Sequence, residues 1–149
     1  MTSLHISIRS QRLTVSKDRK SIRTYPVSTS RFGIGTEEGS HKTPVGQFRI
    51  AEKIGGGMAS GTIFRGRVPL MSDDPPPPTE DFVMSRILWL DGVDADNANT
   101  HARFIYIHGT KHEDKIGRPD SCGCVRMRNA DVIELFDLVA EGTPVVIEE

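Results

Sequence analysis

Three features of the 149-residue sequence predict a mainly β, α+β fold with one helix in its C-terminal half. Short runs of alternating apolar and polar residues recur along the chain. A single stretch, beginning near Asn129, carries helical spacing. Glycines, prolines and polar pairs separate the runs at strand-length intervals.

Leu4, Ile6 and Ile8 alternate with polar residues, as do Leu13 and Val15, and Ile22 follows. The polar pairs Ser10-Gln11 and Asp18-Arg19 between them read as hairpin turns, so a meander of strands is expected from residue 4 to about residue 28. Residues 33–46, rich in Gly, Ser and Thr, read as loop, and Gln47 to Lys53 as a further strand. The run Gly55-Gly56-Gly57 reads as a mobile connection. It opens an excursion over residues 54–81 that includes the polyproline run Pro75 to Pro78. An excursion of that length is either a lid over a binding site or a solvated surface loop.

Arg86-Ile87-Leu88-Trp89-Leu90 reads as a buried strand, with Trp89 in the core. Arg103-Phe104-Ile105-Tyr106-Ile107 reads as another and runs into His108-Gly109-Thr110. The helix follows, with Asn129 as N-cap, Asp131 in its first turn, and Val132, Ile133, Leu135, Phe136, Leu138 and Val139 on one face. Gly142 and Pro144 end it, and Val145-Val146-Ile147 closes the chain as a strand. Residues 1–149 contain no internal repeat and read as a single domain with its own core.

Hydrophobic residues make up 36% of the chain and charged residues 26%, and 19 basic against 20 acidic side chains leave a net charge of -1. That balance implies no basic face and argues against nucleic-acid or anionic-membrane partners. Polar residues interrupt the apolar positions from Met1 to Arg9, unlike a secretory leader, and no stretch approaches the roughly 20 apolar residues of a membrane span. The expectation is a cytoplasmic protein, or a periplasmic one if a leader has been removed. Oligomeric state is not legible.

Cys122 and Cys124 are the two cysteines, one residue apart. A loop that short cannot staple a fold, and a disulfide across it would be strained. The spacing provides no metal site, and no cofactor is implied. Reactivity is the better reason for at least one of them. A thiol in a glycine-containing turn and a histidine at a strand end have the ingredients of a Cys–His pair, in which the imidazole takes the thiol proton. Backbone N–H groups of such a turn can face an oxyanion, Gly123 permits the backbone geometry, and Arg126 could grip a carboxylate. From residue types alone, a buried structural cysteine and a core histidine remain an equal alternative.

The longer string separates these readings. Ser121-Cys122-Gly123-Cys124-Val125-Arg126 downstream of His108 resembles the signature of the L,D-transpeptidase catalytic-domain family: a histidine, a spacer, Ser/Thr-His-Gly-Cys, then Arg or Asn two residues on. His41-Lys42-Thr43-Pro44-Val45-Gly46-Gln47-Phe48 resembles its upstream Thr-Pro segment, Ile107 to Thr110 its histidine strand, and Gly142 to Val145 its closing turn. The resemblance implies a mixed β-sandwich or barrel with the late helix packed on it. It implies Cys124 as nucleophile and His108 as base, with Gly109 beside the imidazole at the position where the family often supplies an orienting carbonyl. Ser121, Cys122, Gly123, Val125 and Arg126 are implied as parts of the substrate and oxyanion site.

The substrates so implied are peptidoglycan stem peptides or muropeptides, cut between the third residue, usually meso-diaminopimelate, and the terminal D-alanine. Water as acceptor gives an L,D-carboxypeptidase of muropeptide recycling, which an unexported chain would favour. An amine acceptor gives a transpeptidase forming cross-links, and an inactive fragment-binding module is the third reading. His112 and His101 read as solvated, and His41 as a surface-loop residue beside the groove.

Cys122 stands where the family usually has histidine, and its expected role is that of a small packing residue rather than a redox brake on Cys124. Replacing Cys122 by Ser should therefore leave the oxidant sensitivity of the protein unchanged in a peroxide titration, and a clear change would make Cys122 a redox partner.

Overall fold

The computed structural model describes residues 1–71 and 82–149, so the polyproline run of residues 75–78 lies outside the described residues. Among the described residues there are ten strands and one α-helix. In order they are β1 (Thr2–Ser7), β2 (Arg12–Lys17), β3 (Lys20–Pro26), β4 (Gly46–Ile54), β5 (Ile63–Arg65), β6 (Val68–Pro69), β7 (Val83–Gly92), β8 (Tyr106–Gly109), β9 (Val125–Met127), α1 (Asn129–Leu138) and β10 (Pro144–Glu148).

All ten strands belong to one sheet, in the order β3-β2-β1-β10-β4-β7-β5-β6, with β8 on β7 and β9 on β8. The sheet does not close into a barrel. Its two ends are linked by an isolated bridge, in which Ser28 N–H donates to the Arg126 carbonyl at 2.9 Å and Arg126 N–H to the Ser28 carbonyl at 2.8 Å. The turn between β2 and β3 has positive φ at Asp18 and Arg19, 53° and 68°, the geometry that matches the twist of a tight hairpin.

Period-two alternation sorts the side chains. Leu4, Ile6, Leu13, Val15, Phe48 and Ile50 point into the main core, where Leu88, Leu90, Ile107, Val125, Met127, Val145 and Ile147 meet them. Ile87, Trp89 and Tyr106, on the other face of β7 and β8, join Phe64 in a smaller cluster against which Cys124 packs. Burial on both faces is why 87–90 reads as an unbroken apolar run rather than an alternation.

Several expectations need correction. Part of the 54–81 excursion is sheet, because Ile63 pairs with Met84 and Phe64 with Val83. The triple glycine is a packed turn. Met58 N–H closes it onto the Gly55 carbonyl at 3.1 Å, and a Cβ at Gly55, where φ is +103°, would come within 2.8 Å of Phe64. The strand expected from Arg103 starts only at Tyr106, because Phe104 takes a left-handed backbone with φ 57°. Leu138 is 37% exposed, since the helix stops there and Val139 is already extended.

Asn129 is not the N-cap. Arg128 holds that position, and the Glu113 carboxylate takes the Asn129 N–H at 2.7 Å. The Asn129 side chain instead ties three elements together. Its amide donates to the Thr110 carbonyl at 2.9 Å, and its carbonyl accepts from the Ser85 hydroxyl at 2.6 Å. Ser85 sits at φ 69° in a bulge of β7, where the register against β8 shifts between Met84 and Ile87. Asn129→Ala should therefore cost about 2 kcal/mol of stability in urea denaturation, since a buried hydroxyl and a strand-end carbonyl lose partners. A loss below about 0.5 kcal/mol, the level of an ordinary surface change, would contradict this role.

Candidate active site

The site is built on the parallel pairing of β8 with β9, in which Ile107 lies opposite Val125 and His108 opposite Arg126. Val125 and Met127 face the main core, so Cys124 and Arg126 face the other way, as do Tyr106 and His108. Extending the register by one residue sets Cys124 beside Tyr106 and two residues before His108. At strand spacings of about 4.8 Å sideways and 3.3 Å per residue along the chain, the Cα atoms of Cys124 and His108 lie roughly 8 Å apart.

The Cys124 sulfur accepts the Tyr106 N–H at 3.3 Å and lies 3.4 Å from the Phe104 carbonyl, to which the thiol can donate. An N–H donor favours the thiolate, and a carbonyl acceptor favours the thiol. Phe104 aims that carbonyl from its left-handed backbone, an uncommon state for a bulky residue. The state is held by hydrogen bonds from Phe104 N–H to the His101 carbonyl and from Arg103 N–H to the Asn99 carbonyl, both 3.0 Å.

His108 is buried, with 1% of its surface exposed, and its Nδ1 lies 2.6 Å from the carbonyl of Gly109. A carbonyl only accepts, so this contact puts the proton on Nδ1 and leaves the lone pair of the neutral ring on Nε2, the arrangement of a base. Gly109 has no room for a side chain. A Cβ there would come within 2.7 Å of the Met84 carbonyl and would also strike the Asn129 side chain.

The turn that presents Cys124 is braced from within. The buried Ser121 hydroxyl donates to the Cys124 carbonyl at 2.6 Å and accepts the Gly123 N–H at 3.3 Å. Gly123, at φ +121°, lies against the loop around Lys42, and its carbonyl accepts from the Thr43 hydroxyl at 3.0 Å. Thr43 is fully buried and also accepts the Ser30 N–H at 3.0 Å.

Not every residue singled out from the sequence reaches the groove. Cys124 and Cys122 line a pocket of about 320 Å³ together with Glu38, His41, Arg103 and Phe104. Val125 is wholly buried in the core, and Ser121 and Gly123 shape the turn from behind. Arg126 is 3% exposed, and its guanidinium meets the Asp120 carboxylate at 2.6 Å. It is a buried ion-paired strut beneath the turn, not an open carboxylate clamp. A larger pocket, about 470 Å³, lies between Met1 and the segment from Asp137 to Pro144 and is lined by no cysteine or histidine.

His101 differs from its expected solvated setting, whereas His41 does not. His101 stacks on Trp89 with ring centroids 3.8 Å apart and meets Glu52 at 3.1 Å. His41 is exposed on the rim of the Cys124 pocket. Arg67 lies over Trp89 at 4.7 Å and donates to the Tyr106 hydroxyl at 3.1 Å. Burial pushes the Tyr106 phenol above its ordinary range, and the Arg67 hydrogen bond opposes that shift. Sequence reasoning missed Arg103, Phe104, Asp120 and Asn129 as parts of the site. Thr43 alone was signalled, by the Thr-Pro segment.

The family description that matches is the YkuD L,D-transpeptidase catalytic domain, over residues 2–147. The chain is 28% identical over 142 residues to a putative L,D-transpeptidase, YkuD, of Bacillus subtilis, covering 95% of this chain and 63% of that protein. It is 41% identical over 54 residues to a second from that organism, YqjB, covering 36% of this chain and 31% of that one. In fold it is similar to L,D-transpeptidase 3 of Mycobacterium tuberculosis in complex with a faropenem-derived adduct, with a TM-score of 0.64 at 19% identity, over 99% of this chain and 60% of that one. The chain spans less than two thirds of the length of each of these proteins.

Removing the carboxylate in Asp120→Ala leaves the Arg126 charge buried against one partner fewer. The expected loss is about 2 kcal/mol in urea denaturation, below the usual cost of breaking a fully buried pair because Asp120 is partly exposed. An unchanged midpoint would show that Arg126 is held by other contacts.

Proposed function

The chain belongs to the YkuD family of L,D-transpeptidase catalytic domains, and from that premise we propose that it is a cysteine acyl-transfer enzyme of peptidoglycan stem peptides. The donor is a tetrapeptide stem, cut between its third residue, diaminopimelate by preference, and the terminal D-alanine. The observation that carries the reading is the 2.6 Å contact of His108 Nδ1 with the Gly109 carbonyl, on the face of the β8–β9 pair that also presents Cys124.

In this reading Nε2 of neutral His108 takes the Cys124 proton, and the thiolate attacks the carbonyl carbon of the third residue. The oxyanion is stabilised by backbone N–H groups of the turn around Cys124, which Ser121 and Thr43 hold in shape. As the C–N bond breaks, the imidazolium returns its proton to the leaving nitrogen and D-alanine departs as an amine. Water then attacks the Cys124 thioester with His108 again as base, giving the tripeptide carboxylate and the free thiol.

Water is the acceptor we favour. The pocket at Cys124, about 320 Å³, lies at the low end of the range that encloses a drug-sized ligand, which suits one stem peptide better than two. The activity is then that of an L,D-carboxypeptidase on soluble muropeptides in the cytoplasm. Cross-linking in the periplasm is the second reading, favoured by the names of the relatives.

Mass analysis of a disaccharide-tetrapeptide incubated with the protein separates the readings. Tripeptide and free D-alanine are expected, a cross-linked dimer would establish transpeptidation, and unchanged substrate would contradict an enzymatic role. Cys124→Ala should abolish turnover, and His108→Gln should lower kcat by about 10²–10⁴-fold. A carbapenem should add its mass to Cys124; the structure of the mycobacterial protein is a complex with a faropenem-derived adduct.

A further inference from the structure

Arg103 has no part in the reaction as written so far, yet it lines the same pocket as Cys124 and directly precedes Phe104, whose carbonyl lies against the Cys124 sulfur. Its guanidinium is fixed by neutral oxygens. Nη1 donates to the Gly35 carbonyl at 3.3 Å, and Nη2 donates to the Lys42 carbonyl at 2.8 Å and the Ser40 hydroxyl at 3.4 Å. Among the described residues no carboxylate lies within ion-pair distance of it. A half-buried cation held only by carbonyl and hydroxyl dipoles keeps its field for whatever charge develops in the pocket.

Other titratable groups around Cys124 do not supply that field in the same way. Glu38, on the pocket rim, is anionic. Cys122 and Tyr106 are neutral or anionic. His41 is exposed on the rim, and His108 must be neutral to act as base. Arg67 is engaged with the Tyr106 hydroxyl and the Trp89 face, and Arg126, on the same face of β9 as Cys124, is ion-paired with Asp120.

We propose that Arg103 is the counter-charge that stabilises the Cys124 thiolate as His108 takes the thiol proton, the electrostatic role left open where Cys122 replaces the usual histidine. The proposal rests on Cys124 being the nucleophile. The two charges do sense one another: burial pushes the Arg103 guanidinium down from its ordinary range, while the Cys124 charge and then Glu38 oppose the shift. Because the guanidinium is anchored to the 35–42 loop, the loop that braces Gly123 also places the charge. Arg103 is thus a positioning residue, acting on the protonation state of Cys124 and touching no bond that breaks.

The test is the pH profile of Cys124 alkylation by iodoacetamide, read by mass in a Cys122→Ser background. Loss of labelling in Cys124→Ala verifies the label. A Cys124 that is labelled normally but is dispensable for turnover would overturn the nucleophile reading without touching the charge measurement. With Arg103→Gln the midpoint should rise by about one pH unit, making alkylation at neutral pH roughly tenfold slower. Arg103→Lys should restore most of it, which a purely structural role would not do. A midpoint unmoved in folded Arg103→Gln overturns the proposal. Should that variant not fold, the unsubstituted protein still decides: relative to free cysteine, Cys124 should react faster with anionic iodoacetate than with neutral iodoacetamide, and an equal or lower ratio overturns it.

Discussion

Ile107 pairs with Val125 and His108 with Arg126 in a short parallel ladder, and this ladder decides which side chains share a face. A slip of one residue would turn Cys124 into the main core and expose Val125. The slip is opposed on both sides. Val125 and Met127 are fully buried, and the Ser28 backbone binds both polar groups of Arg126, so β9 is fixed from the far end of the sheet as well as from β8. The buried Arg126–Asp120 pair adds a directional restraint, since its guanidinium fits the face of β9 that also carries Cys124.

A second restraint fixes the histidine. Gly109 lets the end of β8 pass between Met84 and Asn129, where any side chain would collide. Asn129 joins that strand end to the helix and to the Ser85 bulge, so helix, bulge and histidine strand hold one geometry. The consequence for chemistry is the orientation of the Gly109 carbonyl, which sets the tautomer of His108. The tautomer of His108 therefore follows from backbone placement.

Much of this was legible in the sequence where the signal is local. Alternation revealed β1 and β2, the segment Gln47 to Lys53 and the closing run Val145-Val146-Ile147 marked β4 and β10, and the Asp18-Arg19 pair marked the hairpin. The family string singled out Cys124, His108 and Gly109, and in the structure the Gly109 carbonyl lies 2.6 Å from His108 Nδ1. What escaped depends on contacts between distant segments. Arg126 looks like a free clamp until Asp120 is folded against it. Asn129 is a good cap by type, but the fold offers it Ser85 and Thr110, and Glu113 takes over the helix end. Phe104 has the composition of a strand residue, and only the turn from Asn99 forces it left-handed. β5 and β6 are too short to show a period.

The proposed reaction passes through one covalent species, a thioester between Cys124 and a stem peptide shortened by its last residue. Quenching the protein with acid seconds after mixing it with a disaccharide-tetrapeptide, then mapping the adduct by mass, tests it directly. An adduct on Cys124 equal to the substrate minus D-alanine is expected. Release of D-alanine with Cys124 unmodified, and undiminished in Cys124→Ala, would contradict it.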